Sequence, residues 1–476
     1  MRVFAFSFLL LMLFAPVLFA PEAFAQEEAP VFRKELSFTG GNRSMLPFWV
    51  TANQFGVVPH NRSSAAFRIA VTQPLKQPSR IGFAYGIDAV VRAGEQSTAF
   101  LQQLYGELTW GPFLLRAGRK EEKMGEVHPF LTTGSMVLSG NAAPVIGISI
   151  SWPSYVTVPR TGTFLAIKGH AKHGWLDGNR ITTNPMLHAK SLFMRFGKDQ
   201  WPWKAWAGVM HYNVWGGRHK NENIGDLPRS FNDFLRVFFI QGANSTFEVD
   251  GEVTNVLGNS IGAYDVGFSW EAASFFLQFY RQFYLEDTVS TRLRSPGDGL
   301  YGLHFKASDR EGLLSDVLYE HINTRKQGSK RSEIQGTDNY YNHFIYSTGW
   351  THRGRTLGTP VILMRPDQVG VFNNMLFAHH LGIAGTLRTT TAYQVLLTMT
   401  RNYGVNSIFR STGFGFTMDG ARFDGARDQF YAGLTIFQSL PNMPQFQVMT
   451  RLGYDWGDVR TDNNFGLTVG VVHTNR

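Results

Sequence analysis

Two kinds of residue grouping in this chain have the form of a chemical site. The first is catalytic in form. Gly258-Asn259-Ser260-Ile261-Gly262 matches the Gly-x-Ser-x-Gly pattern that exposes a serine nucleophile at a strand-to-helix elbow. Here a loop precedes the motif and an alternating strand pattern follows it, so it reads as a chance match in a chain with 49 glycines. His379-His380 lies on a strand pattern, where neighbouring side chains point to opposite faces and cannot chelate together. His170 and His173, three apart, are separated in the same way. No His-Glu-x-x-His motif and no cysteine occurs. That excludes thiol nucleophiles, Cys-ligated metals and disulfides. No catalytic residue, metal or cofactor is expected.

The second grouping is aromatic and cationic. Segment 326–376 holds Lys326, Lys330, Arg331, Tyr340, Tyr341, Trp350, Arg353 and Arg355. Segment 215–258 holds Trp215, Arg218, His219 and Lys220, and segment 402–427 holds Tyr403, Arg410, Phe414, Phe416, Arg422 and Arg427. Flat rings stack on apolar ring faces, and guanidinium forks pair with anions. The formal charge of +9 favours an anionic partner.

These residues must be held by something, and the rest of the chain indicates what. Only 17% of its 476 residues are charged, against 14% aromatic and 43% hydrophobic. Soluble domains carry about 25% charged residues. The mean hydropathy of −0.15, with no run of about 18 apolar residues beyond the N-terminus, argues against membrane helices. Instead, many segments alternate with period two. Ile81, Phe83, Tyr85, Ile87, Ala89 and Val91 share one face, opposite Gly82, Ala84, Gly86, Asp88 and Arg92. Phe446, Val448, Leu452, Tyr454 and Trp456 likewise oppose Gln445, Gln447, Arg451, Gly453 and Asp455.

These segments run to about ten to twelve residues, as tilted membrane-spanning strands require; sandwich strands average about five to six. The pattern predicts about 18 strands, near 32–41, 64–75, 80–92, 98–110, 112–119, 144–153, 162–172, 188–197, 203–214, 259–270, 274–285, 298–308, 315–325, 377–388, 391–401, 428–438, 445–456 and 463–473. Short connections (Gly111, 198–202, 271–273, 389–390, 439–444) mostly alternate with long ones. That is the periplasmic-turn and extracellular-loop rhythm of an outer-membrane barrel. Two short connections, 93–97 and 457–462, fall on the extracellular side. Trp110, Trp203 and Trp270 sit beside short turns, where an interfacial girdle belongs. The fold class is an all-β, transmembrane antiparallel barrel of about 18 strands with long extracellular loops. Within it His188 and His211 read as lumen or rim residues.

One loop helix is expected. Ser230 can cap a run in which Phe231, Phe234, Leu235, Phe238 and Phe239 recur at helical spacing, with Asp233 favourable for the dipole. Such a helix would cover the barrel mouth or fold into the lumen; a further strand is the alternative. At the N-terminus, Met1-Arg2, an apolar run to Ala20 and Ala23-Phe24-Ala25 predict a secretory signal peptide over 1–25. Residues 26–476 then form one barrel domain. The last residues, Val471 to Arg476, lack the aromatic residue that commonly ends such barrels.

An ordered set of segments resembles the Wzi-type capsule-assembly outer-membrane proteins, in the form found in Bacteroidetes-like bacteria. They are Pro47-Phe48-Trp49-Val50-Thr51-Ala52-Asn53-Gln54-Phe55-Gly56, Leu115-Arg116-Ala117-Gly118-Arg119 and Leu138-Ser139-Gly140-Asn141-Ala142-Ala143-Pro144. Leu187-His188-Ala189-Lys190-Ser191, His211-Tyr212-Asn213-Val214-Trp215-Gly216-Gly217 and Gly336-Thr337-Asp338-Asn339-Tyr340-Tyr341-Asn342-His343 continue the set. The resemblance implies an outer-membrane lectin-like barrel that holds capsular or exopolysaccharide without catalysis. It assigns motif roles to Arg119, Asn141, His188, Lys190, Gly216, Gly217, Asp338 and Asn339. The enterobacterial members carry a periplasmic helical bundle ahead of the barrel, whereas here the first strand is expected near Phe32. Trp215, Arg218, Tyr340, Tyr341, Trp350, Arg353, Arg355, Tyr403 and Arg410 are the candidate glycan contacts. The implied partners are an anionic surface polysaccharide, outer-membrane lipid and lipopolysaccharide, and the barrel assembly machinery. Nucleic acid is not expected. A diffusion porin for sugars is the alternative reading.

Overall fold

The computed structural model describes residues 29–61, 63–74, 81–95, 97–243, 257–286, 293, 295–327, 338–367, 369–405, 422–460 and 463–475. The expected signal peptide lies outside them. Eighteen long strands follow in chain order. The first six are β1 (Val31–Gly41), β2 (Ser64–Gln73), β3 (Ile81–Gly94), β4 (Thr98–Trp110), β5 (Phe113–Arg119) and β6 (Ile146–Thr157). Next come β7 (Leu165–Trp175), β8 (Met186–Phe196), β9 (Trp203–Trp215), β10 (Asn259–Glu271), β11 (Phe275–Glu286) and β12 (Gly299–Ala307). The last six are β13 (Asp316–Asn323), β14 (Leu376–Arg388), β15 (Thr391–Gly404), β16 (Arg422–Leu440), β17 (Met443–Gly457) and β18 (Asn464–Thr474). Each pairs antiparallel with the next. The register Arg33↔Thr474 to Gly41↔Gly466 joins β18 to β1 and closes the barrel. Closure removes both sheet edges, so every strand has two ladder partners.

Every expected strand is present, with ends shifted by a few residues. The expected turn 439–444 is tighter, because β16 runs to Leu440 and β17 starts at Met443. Alternation sets the two faces. Phe83, Ile87 and Val91 are exposed on the outside of β3, while Ala84, Asp88 and Val90 are buried inside. On β4, Leu101 and Leu104 both face out although they are three apart. A bulge opposite Asp88–Ala89 absorbs the extra residue and leaves Gln102 inside. Trp110 and Trp270 are exposed beside periplasmic turns, and Trp203 pairs directly with Trp270 across β9 and β10.

The lumen is filled. Three extracellular stretches, 42–61, 120–145 and the described residues 338–367 and 369–374, fold inward and supply much of the buried core, including Trp49, Leu131, Met136, Val137, Tyr340, Tyr341 and Trp350. Inward strand residues anchor them. Glu320 on β13 accepts hydrogen bonds from Thr132 Oγ1 (2.6 Å), Thr133 N (2.7 Å), Thr133 Oγ1 (2.6 Å) and Tyr280 OH (2.5 Å). Gln282 on β11 accepts from Met136 N at 3.0 Å, and Asp455 on β17 accepts from Phe48 N at 2.9 Å. Phe48 opens the short helix α1 (Phe48–Thr51), which the sequence pattern did not reveal. Within the plug, Trp350 Nε1 donates to the Val137 carbonyl at 2.8 Å and Tyr341 OH to that of Met136 at 2.5 Å.

The loop helix is present as α2 (Phe231–Phe238) with a full capping box: Ser230 Oγ accepts from Asp233 N, and the Asp233 carboxylate accepts from Ser230 N. It neither covers the mouth nor enters the lumen. Its Phe234 packs on His173 and His188, which share strand faces with the outward Trp175, Leu192 and Met194. Hence α2 lies against the outside of the wall near its extracellular end. His188 and His211 therefore face outward beneath α2 and are not lumen residues. They are buried because the helix covers them.

Candidate functional site

Above the plug, a cavity of about 1040 Å³ opens at the extracellular end. Its lining comes from segments far apart in the chain: 42–61, the top of β3, 353–366 and the residues Val459, Arg460 and Asn464. Among the described residues six arginines line it, Arg43, Arg92, Arg353, Arg355, Arg365 and Arg460, and no Asp or Glu does. Arg365 pairs with Asp367 and Arg460 with the buried Asp455, each at 3.3 Å. Arg355 differs. It is buried and donates to the Thr51 carbonyl at 2.8 Å and to the Val58 carbonyl, a neutral pair of acceptors. Burial, with Arg92 close by, pushes its guanidinium down to about 9, so it stays cationic at neutral pH. The Arg92 Nε is buried with no hydrogen-bond partner among the described residues. Burial and the nearby Arg355 and Arg460 hold the His60 imidazole well below its ordinary value, so it is neutral here. The result is a partly desolvated, net cationic cup, in which an incoming anion would be less screened than in bulk water.

The candidate contacts separate into groups. Arg353 is exposed and lines the cup, and Arg355 forms part of its floor. Tyr340, Tyr341 and Trp350 are fully buried in the plug. Their ring faces are taken by neighbours: Tyr284 lies edge-on to Tyr340, with centroids 4.5 Å apart, and Tyr212 edge-on to Trp350 at 6.1 Å. They are therefore corrected from glycan contacts to plug core. Trp215 is corrected as well, because it is buried under α2 on the outer wall. Arg218 is exposed at the rim, 3.8 Å from Asp226. Tyr403 is half-buried on β15 beside Phe377. Arg410 lies outside the described residues, as do Lys330, Arg331, Phe414 and Phe416.

The motif residues have structural explanations. Arg119 donates to the Leu101 carbonyl at 2.8 Å, and Asn141 Nδ2 to Thr356 Oγ1 at 2.9 Å beside the cup. Asn339 Oδ1 accepts from Asn374 Nδ2 at 2.6 Å, and the Asp338 backbone N–H donates to the Gln327 carbonyl at 3.0 Å. Gly216 and Gly217 have φ of +64° and +88°, and a Cβ on Gly217 would lie 2.5 Å from the Thr183 carbonyl. His188 and Lys190 lie beneath α2. Arg43, Arg92, Arg365, Arg460 and His60 were missed by the sequence reading. Their separation in the chain hides them, although Arg92, at the end of an alternating strand, was a partial signal.

Two other clusters have the form of chemistry. Ser260 Oγ lies 3.2 Å from His211 Nε2, so the Gly-x-Ser-x-Gly serine does meet a histidine. However, Asn213 Nδ2 also donates to Ser260 Oγ at 2.6 Å, and His211 Nδ1 has no partner to orient the ring. Serine catalysis needs that orientation. At the periplasmic end of the lumen, His128, His304 and Asp316 converge closely enough to suggest a metal site. Yet His128 Nδ1 accepts from the Leu131 N–H at 2.9 Å. The neutral ring then carries its proton on Nε2, the atom a metal would need. This cluster is a hydrogen-bonded fastening for the plug.

A closed 18-stranded barrel with an apolar outer belt and a filled lumen defines an outer-membrane β-barrel protein. The family model of capsule assembly protein Wzi matches residues 49–361, about two thirds of the chain, and the chain belongs to that family. Among solved structures it is similar to Wzi of Escherichia coli, described as an outer-membrane protein involved in group 1 capsule assembly and a carbohydrate-binding β-barrel. The two are 14% identical over 93% of this chain and 83% of that one, with a TM-score of 0.58, a likeness of fold. OpdK of Pseudomonas aeruginosa covers 94% of this chain and 98% of its own at 8% identity and a TM-score of 0.48. OccAB4 of Acinetobacter baumannii covers 94% and 99% at 8% identity and 0.47. No curated protein sequence matches the chain.

Proposed function

We propose that this protein is a non-enzymatic, lectin-like binder that retains an acidic capsular or exopolysaccharide at the cell surface, in the Bacteroidetes-type form of the family. The arginine cup carries the reading. Among the described residues, six guanidiniums and no carboxylate line an extracellular cavity. Planar forks of this kind suit the carboxylate, sulfate or phosphate groups of an acidic glycan. Family membership and the fold shared with a carbohydrate-binding barrel support it. The filled lumen favours a holder over a diffusion channel. Arg353 and Arg92 are the proposed glycan contacts in the cup, with Arg218 and Tyr403 as outlying ones at the rim.

The test combines two measurements. Deletion of the gene should shift polysaccharide from the cell-attached to the released fraction. Purified protein should bind the acidic polymer in a salt-dependent way and a neutral dextran not at all. Arg92→Ala with Arg353→Ala should weaken acidic binding by about tenfold or more, the weight of one or two charge-assisted contacts. Unchanged binding in the double variant, or a large open-channel conductance with no loss of attached polymer on deletion, would overturn the proposal.

A further inference from the structure

The outer wall carries a polar patch where an apolar surface is needed. Toward the extracellular ends of β7–β10, the strand faces shared with lipid-facing Trp175, Leu192, Val209 and Phe268 present His173, His188, Lys190, His211, Asn213 and Ser260. Polar and ionisable groups on that face are costly against acyl chains. Helix α2 covers them. Phe234 lies 5.7 Å from the His173 ring and 5.5 Å from that of His188, Phe238 lies 5.4 Å from His188, and Lys190 Nζ donates to the Phe238 carbonyl.

The cover leaves hydrogen-bonding groups unmet. Among the described residues, both ring nitrogens of His188, His211 Nδ1 and Trp215 Nε1 are buried without a partner. His188 and Trp215 are each only 2% exposed. Leaving such groups unmet is unfavourable, and wall residues needed only to face a helix could be apolar. Among the described residues, the charged or titratable groups close to His188 and His211 are Lys190, His170 and His173, and none is a carboxylate. Among the described residues the underside of α2 is thus rich in donors and carries the Lys190 ammonium. Its other side is apolar: Phe231, Leu235, Phe239 and Ile240 are exposed, continuing the belt of the barrel.

We propose that α2 and the wall beneath it form a seat for a phosphorylated, acylated lipid of the outer leaflet. The acyl chains lie against Phe231, Leu235 and Phe239. The phosphate enters between helix and wall, where Lys190 Nζ, His188, His211 Nδ1 and Trp215 Nε1 donate to its oxygens. Charge complementarity and continuity with the lipid-facing belt identify the occupant.

The full chain, folded in detergent, would be incubated with bisphosphorylated lipid A or with the same lipid dephosphorylated. Retained lipid would then be counted by native mass spectrometry after detergent exchange. Retention of the phosphorylated form should exceed that of the dephosphorylated form by about tenfold, and Lys190→Gln with His188→Gln should abolish the preference. Heat-modifiable gel mobility reports whether the variant folds. If it does not, a nitroxide on Leu235→Cys in the otherwise cysteine-free chain gives a second readout. It should be accessible to oxygen and shielded from a water-soluble nickel chelate. Equal retention of both lipids, a preference unchanged in the variant, displacement by inorganic phosphate alone, or a water-exposed label would each overturn the proposal.

Discussion

On β13, Tyr319 points outward and is exposed, whereas the next residue, Glu320, points inward and is fully buried. On β3 the same step separates exposed Ile87 from buried Asp88. The wall and the plug thus grow from opposite sides of the same strands, and different forces hold them. The wall needs its ladder and an apolar exterior, so many residues contribute a little each. The plug is irregular backbone in a lumen, and its polar groups must find partners one at a time. It finds them on a few inward carboxylates and amides. Stability of the wall is therefore spread out, while stability of the plug is concentrated.

The sharpest way to break this comparison is Glu320→Leu. It removes the acceptor of four donors in a fully buried place, leaving Thr132, Thr133 and Tyr280 to seek others. The expected loss is about 3–5 kcal/mol, confined to the plug. Segment 120–145 should become sensitive to protease and single-channel recordings should show new openings, with the barrel still heat-modifiable. Collapse of the wall together with the plug would show that the two are one cooperative unit.

The converse change acts on the other side of the wall. Ile87 lies near the middle of β3 and is 46% exposed toward lipid. Ile87→Lys should cost about 2–4 kcal/mol, read as a lower urea midpoint for refolding into vesicles. Protease protection of segment 120–145 should not change in the folded fraction. An unchanged midpoint would mean that this face is not in the membrane.

How much of this contrast was legible follows from the same physics. The wall repeats every two residues, so lipid-facing and inward positions separate on sight, and all the strands could be placed. The plug has no period. Tyr340, Tyr341 and Trp350 stand in a loop, and a loop aromatic reads as a surface group until the loop is known to fold inward. One signal was present: residues 129–145 contain no charged side chain, an unusual composition for an extracellular loop. The helix α2 was legible from Ser230 and its spacing. Its apolar residues on both sides could not say whether it lay in the lumen or on the outer wall. The cup was half legible, since Arg353 and Arg355 are close in sequence, while Arg43, Arg92 and Arg460 join them only in three dimensions.

The pH dependence of the plug sharpens the comparison on a smaller scale. Burial and then the adjacent His304 push the His128 imidazole from 6.5 down to about 4, with Asp316 pulling the other way. A histidine held neutral by the fold contributes stability above its ordinary value, and that contribution fades as the pH falls from about 6.5 toward 4. Complete protonation would remove at most roughly 3 kcal/mol. Protection of segment 120–145 from protease should decline over that window in the native protein. The decline should be shallower in His128→Gln, whose side chain retains an acceptor for the Leu131 N–H. Equal declines would place the proton elsewhere.

The smallest expected effect tests whether α2 belongs with the wall or with the plug. Its cap is local: Ser230 Oγ accepts from Asp233 N at 3.2 Å, and Asp233 Oδ2 accepts from Ser230 N at 2.8 Å. Ser230→Ala removes half of this box at a cost of about 1 kcal/mol. Amide exchange over 233–239 should then quicken by about fivefold. Among the described residues the contacts of α2 are with outward side chains, so amides of segment 120–145 should exchange as before. Quickening in both places would tie the helix to the lumen and contradict its place on the outer wall. Quickening confined to α2 would give the molecule a third region, fastened to the wall from outside and able to loosen while wall and plug stay closed.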